Sequence, residues 1–143
     1  MGRRGLLAAT IACLLLGGCG GGSGGEVPTF AGTDEEQIAG TVNAMTGAIA
    51  AGDGELACGL MSEQGRAIML DAGRQAGGEE VGDCESAVPA AEAMGFDPGD
   101  FRVEVGDVSV GGDAATVRCD IDGEFALVRE DAGWRVDVPY CNH

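Results

Sequence analysis

Near Phe101 the hydrophobic period of this chain changes from that of a helix to that of a strand, which restricts it to folds that keep helices and strands in separate blocks. Before the switch, Ile38, Val42, Met45 and Ile49 recur at helical spacing. After it, Phe101, Val103 and Val105 alternate with Arg102 and Glu104, and Val108 and Val110 continue past a bend at Gly106-Asp107. Helices first and strands second read as an α+β domain, its helices packed on one face of an antiparallel sheet.

The helical half carries its own start and stop signals. Thr33-Asp34-Glu35-Glu36 is a capping box, with acids suited to a helix N-terminus, and Ala51-Gly52-Asp53 supplies the stop and the next cap. A short helix over 54–60 follows, and Ser62 caps a third over 63–72. A fourth over 81–94 places Cys84, Val88 and Ala91 in one stripe, with Pro89 expected to kink or split it.

The second half reads as a four-stranded meander turning at Gly111-Gly112-Asp113, at Ile121-Asp122-Gly123 and at Asp131-Ala132-Gly133. The middle turn predicts Cys119 opposite Phe125 and Val117 opposite Leu127. One face then carries Phe101, Val103, Val105, Val117, Cys119, Phe125, Leu127, Trp134, Val136 and Val138, interrupted by Arg129. The other carries Arg102, Glu104, Thr116, Arg118, Asp120, Arg135 and Asp137.

Ahead of this domain stands an address. Arg3-Arg4, the apolar run from Leu6 to Leu16, and Gly17-Gly18 before Cys19 make a lipoprotein signal over 1–18, with Cys19 the acylated residue. The run is shorter than the roughly 20 residues that span a bilayer. Residues 19–32, rich in glycine, read as a flexible tether, and 33–143 as a single domain. The chain is thus expected on the extracytoplasmic face of the cell membrane, held by two or three acyl chains.

Such a compartment is oxidising, and Cys58, Cys84, Cys119 and Cys141 are four cysteines available to pair. Sequence order favours Cys58–Cys84 and Cys119–Cys141, although three pairings are open and a plain meander separates the second pair by a strand. A metal is not expected, since no two of the four stand at Cys-x-x-Cys spacing and the sole histidine, His143, is the last residue. No cofactor is implied either. Without Arg3 and Arg4 the chain keeps six arginines against 24 carboxylates, a surface that repels nucleic acid and anionic headgroups.

The capped acidic helix, the string Ala50-Ala51-Gly52-Asp53-Gly54-Glu55-Leu56-Ala57-Cys58-Gly59-Leu60-Met61 and the late Gly133-Trp134-Arg135-Val136 strand together resemble the nuclear transport factor 2-like superfamily. More narrowly, the pattern is similar to small actinobacterial lipoproteins of that cystatin-like fold. The resemblance implies a cone whose apolar cavity would be lined by Phe101, Val103, Val117, Phe125, Leu127, Trp134 and Val136. It also implies use of that cone for small ligands, for catalysis or for docking.

No catalytic residue of that superfamily maps onto this chain. Arg129 is the one inward charge, expected to snorkel outward at a strand end. Tyr140 reads as an edge-packing residue, His143 as a terminus, and Ser62, Ser86 and Ser109 as caps or turns. Asp120-Ile121-Asp122-Gly123-Glu124 lacks the further ligands of a calcium loop, and Glu79, Glu80, Asp83 and Glu85 suit a helix start. The expected function is a non-enzymatic, lipid-anchored extracytoplasmic module that binds an apolar small molecule or a protein partner through its cone. The alternatives are a polyketide cyclase-like isomerase or hydrolase, and a structural domain without a pocket.

Overall fold

The four helices begin on side chains that satisfy the free amides of their first turns. A computed structural model, which describes residues 26–93, 102–119 and 123–139, places α1 at Asp34–Ala50, α2 at Gly54–Gly59, α3 at Glu63–Gly77 and α4 at Cys84–Ala93. For α1 the Thr33 hydroxyl accepts from the Glu36 amide (3.3 Å) and the Glu36 carboxylate accepts from the Thr33 amide (2.8 Å). Asp53 and Ser62 cap α2 and α3, each accepting a backbone N–H at 3.0 Å. The fourth helix starts three residues later than expected because Asp83 and Ser86 cap each other, at 2.8 and 3.3 Å. Pro89 neither splits nor ends α4. Its missing amide frees the Glu85 carbonyl, which Gly54 covers: an added β-carbon at Gly54 would lie 2.5 Å from that oxygen.

A disulfide between Cys58 and Cys84, with Cα atoms 6.1 Å apart, ties α2 to the start of α4. Closing that loop is worth about 3–4 kcal/mol in the chain-entropy account. Cys119 is disulfide-bonded as well, and Cys141, its expected partner, lies outside the described residues.

Strands β1 (Val108–Gly111), β2 (Ala114–Arg118), β3 (Glu124–Glu130) and β4 (Gly133–Val138) form an antiparallel sheet in chain order. Two-residue turns close the first and last hairpins, with Gly112 at φ 70° and Gly133 at φ 112°, where L side chains are disfavoured. The middle hairpin departs from expectation: Val117 stands opposite Phe125 and Ala115 opposite Leu127, while the Cys119 amide donates to the Gly123 carbonyl (2.8 Å). The register moves by two residues, so each side chain keeps its face.

Two further corrections concern strand ends. Residues 102–107 are not strand, and Val105 is 48% exposed instead of buried. The Asn43 side-chain amide takes both backbone groups of Val103, donating to its carbonyl (3.0 Å) and accepting its amide (2.8 Å). A helix side chain thereby occupies the positions of a neighbouring strand. In β4 a bulge lets Leu127 face Val136 but Ala126 face Val138. Val138 therefore shares the outer face with Ala126, not the inner one.

Helix α1 packs across β1 and β4, α3 packs on β4 and α4, and α2 lies against α1 and α4. Between helices and sheet sit Ile38, Met45, Ile49, Leu60, Phe125 and Trp134, each at most 2% exposed. The outer edge of β4 is covered by Leu60–Ser62: Val136 donates to Leu60 (3.0 Å) and Ser62 to Val136 (2.9 Å). Gly65 permits this approach, since a β-carbon there would lie 2.3 Å from the Val136 carbonyl oxygen.

Residues 26–32, read from sequence as part of a tether, lie along the domain. Val27 and Phe30 pack on the core, Val27 over Gly59 and the Phe30 ring over Gly40, where β-carbons would meet them at 2.6 Å.

Candidate interaction surface

The inner face brings together the residues expected to line a cone. Val103, Val117, Phe125, Leu127, Trp134 and Val136 are all buried in one cluster with the helical core, and Phe101 lies outside the described residues. The buried hydroxyls of Thr41 and Thr46 donate to the carbonyls of Gln37 (2.9 Å) and Asn43 (3.1 Å) on their own helix. No buried side-chain nitrogen or oxygen among the described residues lacks a hydrogen-bond partner.

Arg129 reaches the surface, its side chain 38% exposed, but it is paired there. From the edge of the inner face its guanidinium pairs with Asp34 at the N-terminus of α1, lies 4.6 Å above the Trp134 ring and approaches Asp113 at 3.6 Å. The Trp134 indole N–H donates to the other Asp34 oxygen at 3.3 Å. Arg129 first, and then Trp134, hold the Asp34 carboxyl below the usual carboxylate range. Cation, ring and carboxylate satisfy one another, so this cluster clasps helix to sheet.

The open ground lies on the outer face. The registers stack Ser109 against Thr116 and Thr116 against Ala126, with Ala114 against Val128 and Ala126 against Val138. This patch is smaller and more apolar than the polar face expected from sequence. Its side chains are short, and they border an open concavity of about 510 Å³ with Asp137 at the rim. Asp137, the residue expelled by the bulge, accepts a hydrogen bond from the Ser62 hydroxyl at 2.6 Å, which fixes one wall. Arg118 and Glu124 stand opposite each other across β2 and β3 at the same end of the sheet as Asp137.

Sequence reading missed this patch although a signal was present. Phe125-Ala126-Leu127-Val128 is apolar at both parities, which marks a strand whose two faces are both non-polar. It also missed Asn43, an uncharged residue in mid-helix with nothing local to mark its long-range role.

Other sequence candidates lie apart. Cys19, Tyr140, Cys141, His143 and Asp120 to Asp122 fall outside the described residues. Ser62 and Ser86 cap helices as expected. The Ser86 amide and hydroxyl lower the Asp83 pKa, and no group of three potential ligands assembles for a metal among the described residues. A second concavity, of about 390 Å³, is bordered by Arg74, Gly78 and Glu79, but the Arg74 Nε already donates to the Val81 carbonyl at 3.0 Å. No described helix is long and apolar enough to cross a membrane. Comparison with family models, curated proteins and solved structures finds no match.

Proposed function

We propose that this chain is a lipid-anchored extracytoplasmic interaction module, not an enzyme, that docks a protein partner on the outer face of its sheet. The observation carrying this reading is the patch of Ala114, Thr116, Ala126, Val128 and Val138, apolar and lightly covered on a chain with a lipoprotein signal. An open concavity suits a protein better than a small molecule, because small-ligand sites enclose most of their ligand. Six arginines against 24 carboxylates in the mature chain favour a partner of basic surface and oppose a second copy of the same chain. The nuclear transport factor 2-like resemblance is compatible with such use, since that fold serves many roles.

The test is in-membrane cross-linking with the outer face altered by Thr116→Glu and Ala126→Glu, and with Gln75→Glu as a control on α3. Loss of one specific cross-linked protein in the first pair, with retention in the control, is the expected result. Retention in all variants would refute the docking face, and a cross-linked product that proves to be a second copy would refute the assigned partner. Anchoring is read separately: Cys19→Ser is expected to leave the membrane fraction, and its persistence there would overturn the address.

A further inference from the structure

The two edges of the sheet are finished differently. On β4 the Leu60–Ser62 segment takes the outward backbone groups of Val136. On β1 the direction of each backbone group follows from the ladders. The Asp113 carbonyl accepts from the Arg129 amide and the Cys119 amide donates to the Gly123 carbonyl, both at 2.8 Å, which sets the odd-numbered residues of β2 toward β3. Ala114 and Thr116 therefore bond toward β1, where they face Gly111 and Ser109. Val108 and Val110 direct their backbone the other way, to the edge. The Val108 amide turns back to the Val105 carbonyl and closes the tight turn Val105–Asp107. The Val108 carbonyl and both backbone groups of Val110 have no hydrogen-bond partner among the described residues. Cover is thin on the same edge: Val108 and Val110 are half-buried where Val117 and Ala115 opposite them are buried, and Val105, leading into the strand, is 48% exposed. Glu104 and Asp107 precede β1, and Asp113, its side chain 89% exposed, follows at the turn, with Arg102 the one basic residue from 102 to 113.

We infer that the β1 edge is a strand-addition site for an extended segment of a partner protein, a short apolar run with a lysine or arginine at each end. An added antiparallel strand exchanges two hydrogen bonds with Val110 and gives one amide to the Val108 carbonyl, so its main chain supplies the attachment. Its apolar side chains on the helix side continue the row of Val108 and Val110, and its basic ends answer the acids that flank β1. A second copy is the wrong occupant, because antiparallel pairing of two such edges sets the acidic end of one against the acidic end of the other. The site lies in the plane of the sheet and depends neither on the outer face nor on acylation.

The test uses the full chain in micelles of an uncharged detergent and the peptide acetyl-Lys-Val-Thr-Val-Thr-Val-Lys-amide. Residue-resolved amide NMR is expected to show saturable shifts at Val110 with its hydrogen exchange slowed several-fold, while exchange at Ser109, already bonded to β2, is unchanged. The same peptide with its inner amides N-methylated, and a version ending in glutamates, are each expected to bind at least several-fold more weakly. Val110→Pro removes the outward amide without breaking a ladder bond and is expected to abolish binding. Asp107→Asn with Asp113→Asn is expected to weaken it several-fold and keeps the test open if the proline variant misfolds. Thr116→Glu with Ala126→Glu is expected to retain the peptide, so failure of the edge and failure of the outer docking face are read separately; loss of the peptide there would place it on the outer face and overturn the edge assignment. No saturable shift at Val110, or equal binding of either control peptide, would overturn the proposal. So would exchange at Val110 already slowed without peptide, whether at all protein concentrations, which means that the chain covers its own edge, or increasingly with concentration, which means a second copy.

Discussion

Asp34 does two jobs with one carboxylate: it supplies negative charge at the start of α1 and accepts from Arg129 and Trp134 on the sheet. Because those contacts lower its pKa in the folded state, its ionised form stabilises the fold above the ordinary carboxylate value, near pH 4, and that contribution is lost as pH falls through the lower folded value. Asp34→Asn is therefore expected to be less stable than the parent chain at pH 7. The gap should close as the medium is taken from about pH 4 to lower values and the parent carboxyl protonates. Urea unfolding at a series of pH values measures this, and a gap independent of pH would show that charge is not its source. The pairing was invisible in sequence, where Asp34 and Arg129 are separated by 95 positions. Arg129 stood out only as a charge on an apolar face.

At the scale of elements, the decisive competition is between Asn43 and a strand partner for the backbone of Val103. The alternation of Phe101, Val103 and Val105 satisfies every local rule for a strand, yet the described segment from 102 to 107 is none. A side-chain amide offers the same donor and acceptor as a backbone unit, and α1 carries it to the right place. Removing it with Asn43→Ala leaves two backbone groups to find new partners and is expected to cost about 1–3 kcal/mol in denaturant unfolding. Hydrogen exchange at Val103 should rise in parallel. Asn43→Asp keeps the acceptor but sets a carboxylate against the Val103 carbonyl, and should not restore stability. Unchanged protection at Val103 in Asn43→Ala would mean that the contact is dispensable. Caps, by contrast, were legible because they act within three residues: Thr33, Asp53 and Ser62 all do what their spacing predicts.

For the whole molecule, the largest unbalanced quantity is charge. Between described residues, ion pairs are confined to Arg129 with Asp34 and Asp113, while the full chain carries 24 acids and 8 basic residues. Repulsion among the remaining carboxylates opposes the compact state and is relieved by salt, whose screening length shortens from about 30 Å at 0.01 M to about 3 Å at 1 M. The melting temperature is accordingly expected to rise as sodium chloride is added across that range. A fall would mean that favourable charge contacts outweigh the repulsion. The same excess of acid is the ground for proposing a partner of basic surface.

Sequence by itself determined the order of elements, the caps and most of the core, and favoured the Cys58–Cys84 bridge among three open pairings, because each depends on period, short-range hydrogen bonding or a small set of pairings. The helix order and the meander followed from those rules alone. Only the tertiary structure decided where β1 begins, which face Val138 joins, what Arg129 binds and where Phe30 packs. Each of these turns on contacts between residues far apart in the chain: Asn43 with Val103, the bulge that sets Ala126 against Val138, Asp34 with Arg129, and Phe30 against Gly40. A local pattern cannot encode such choices, since each is made by the shape of the surface that the rest of the fold presents.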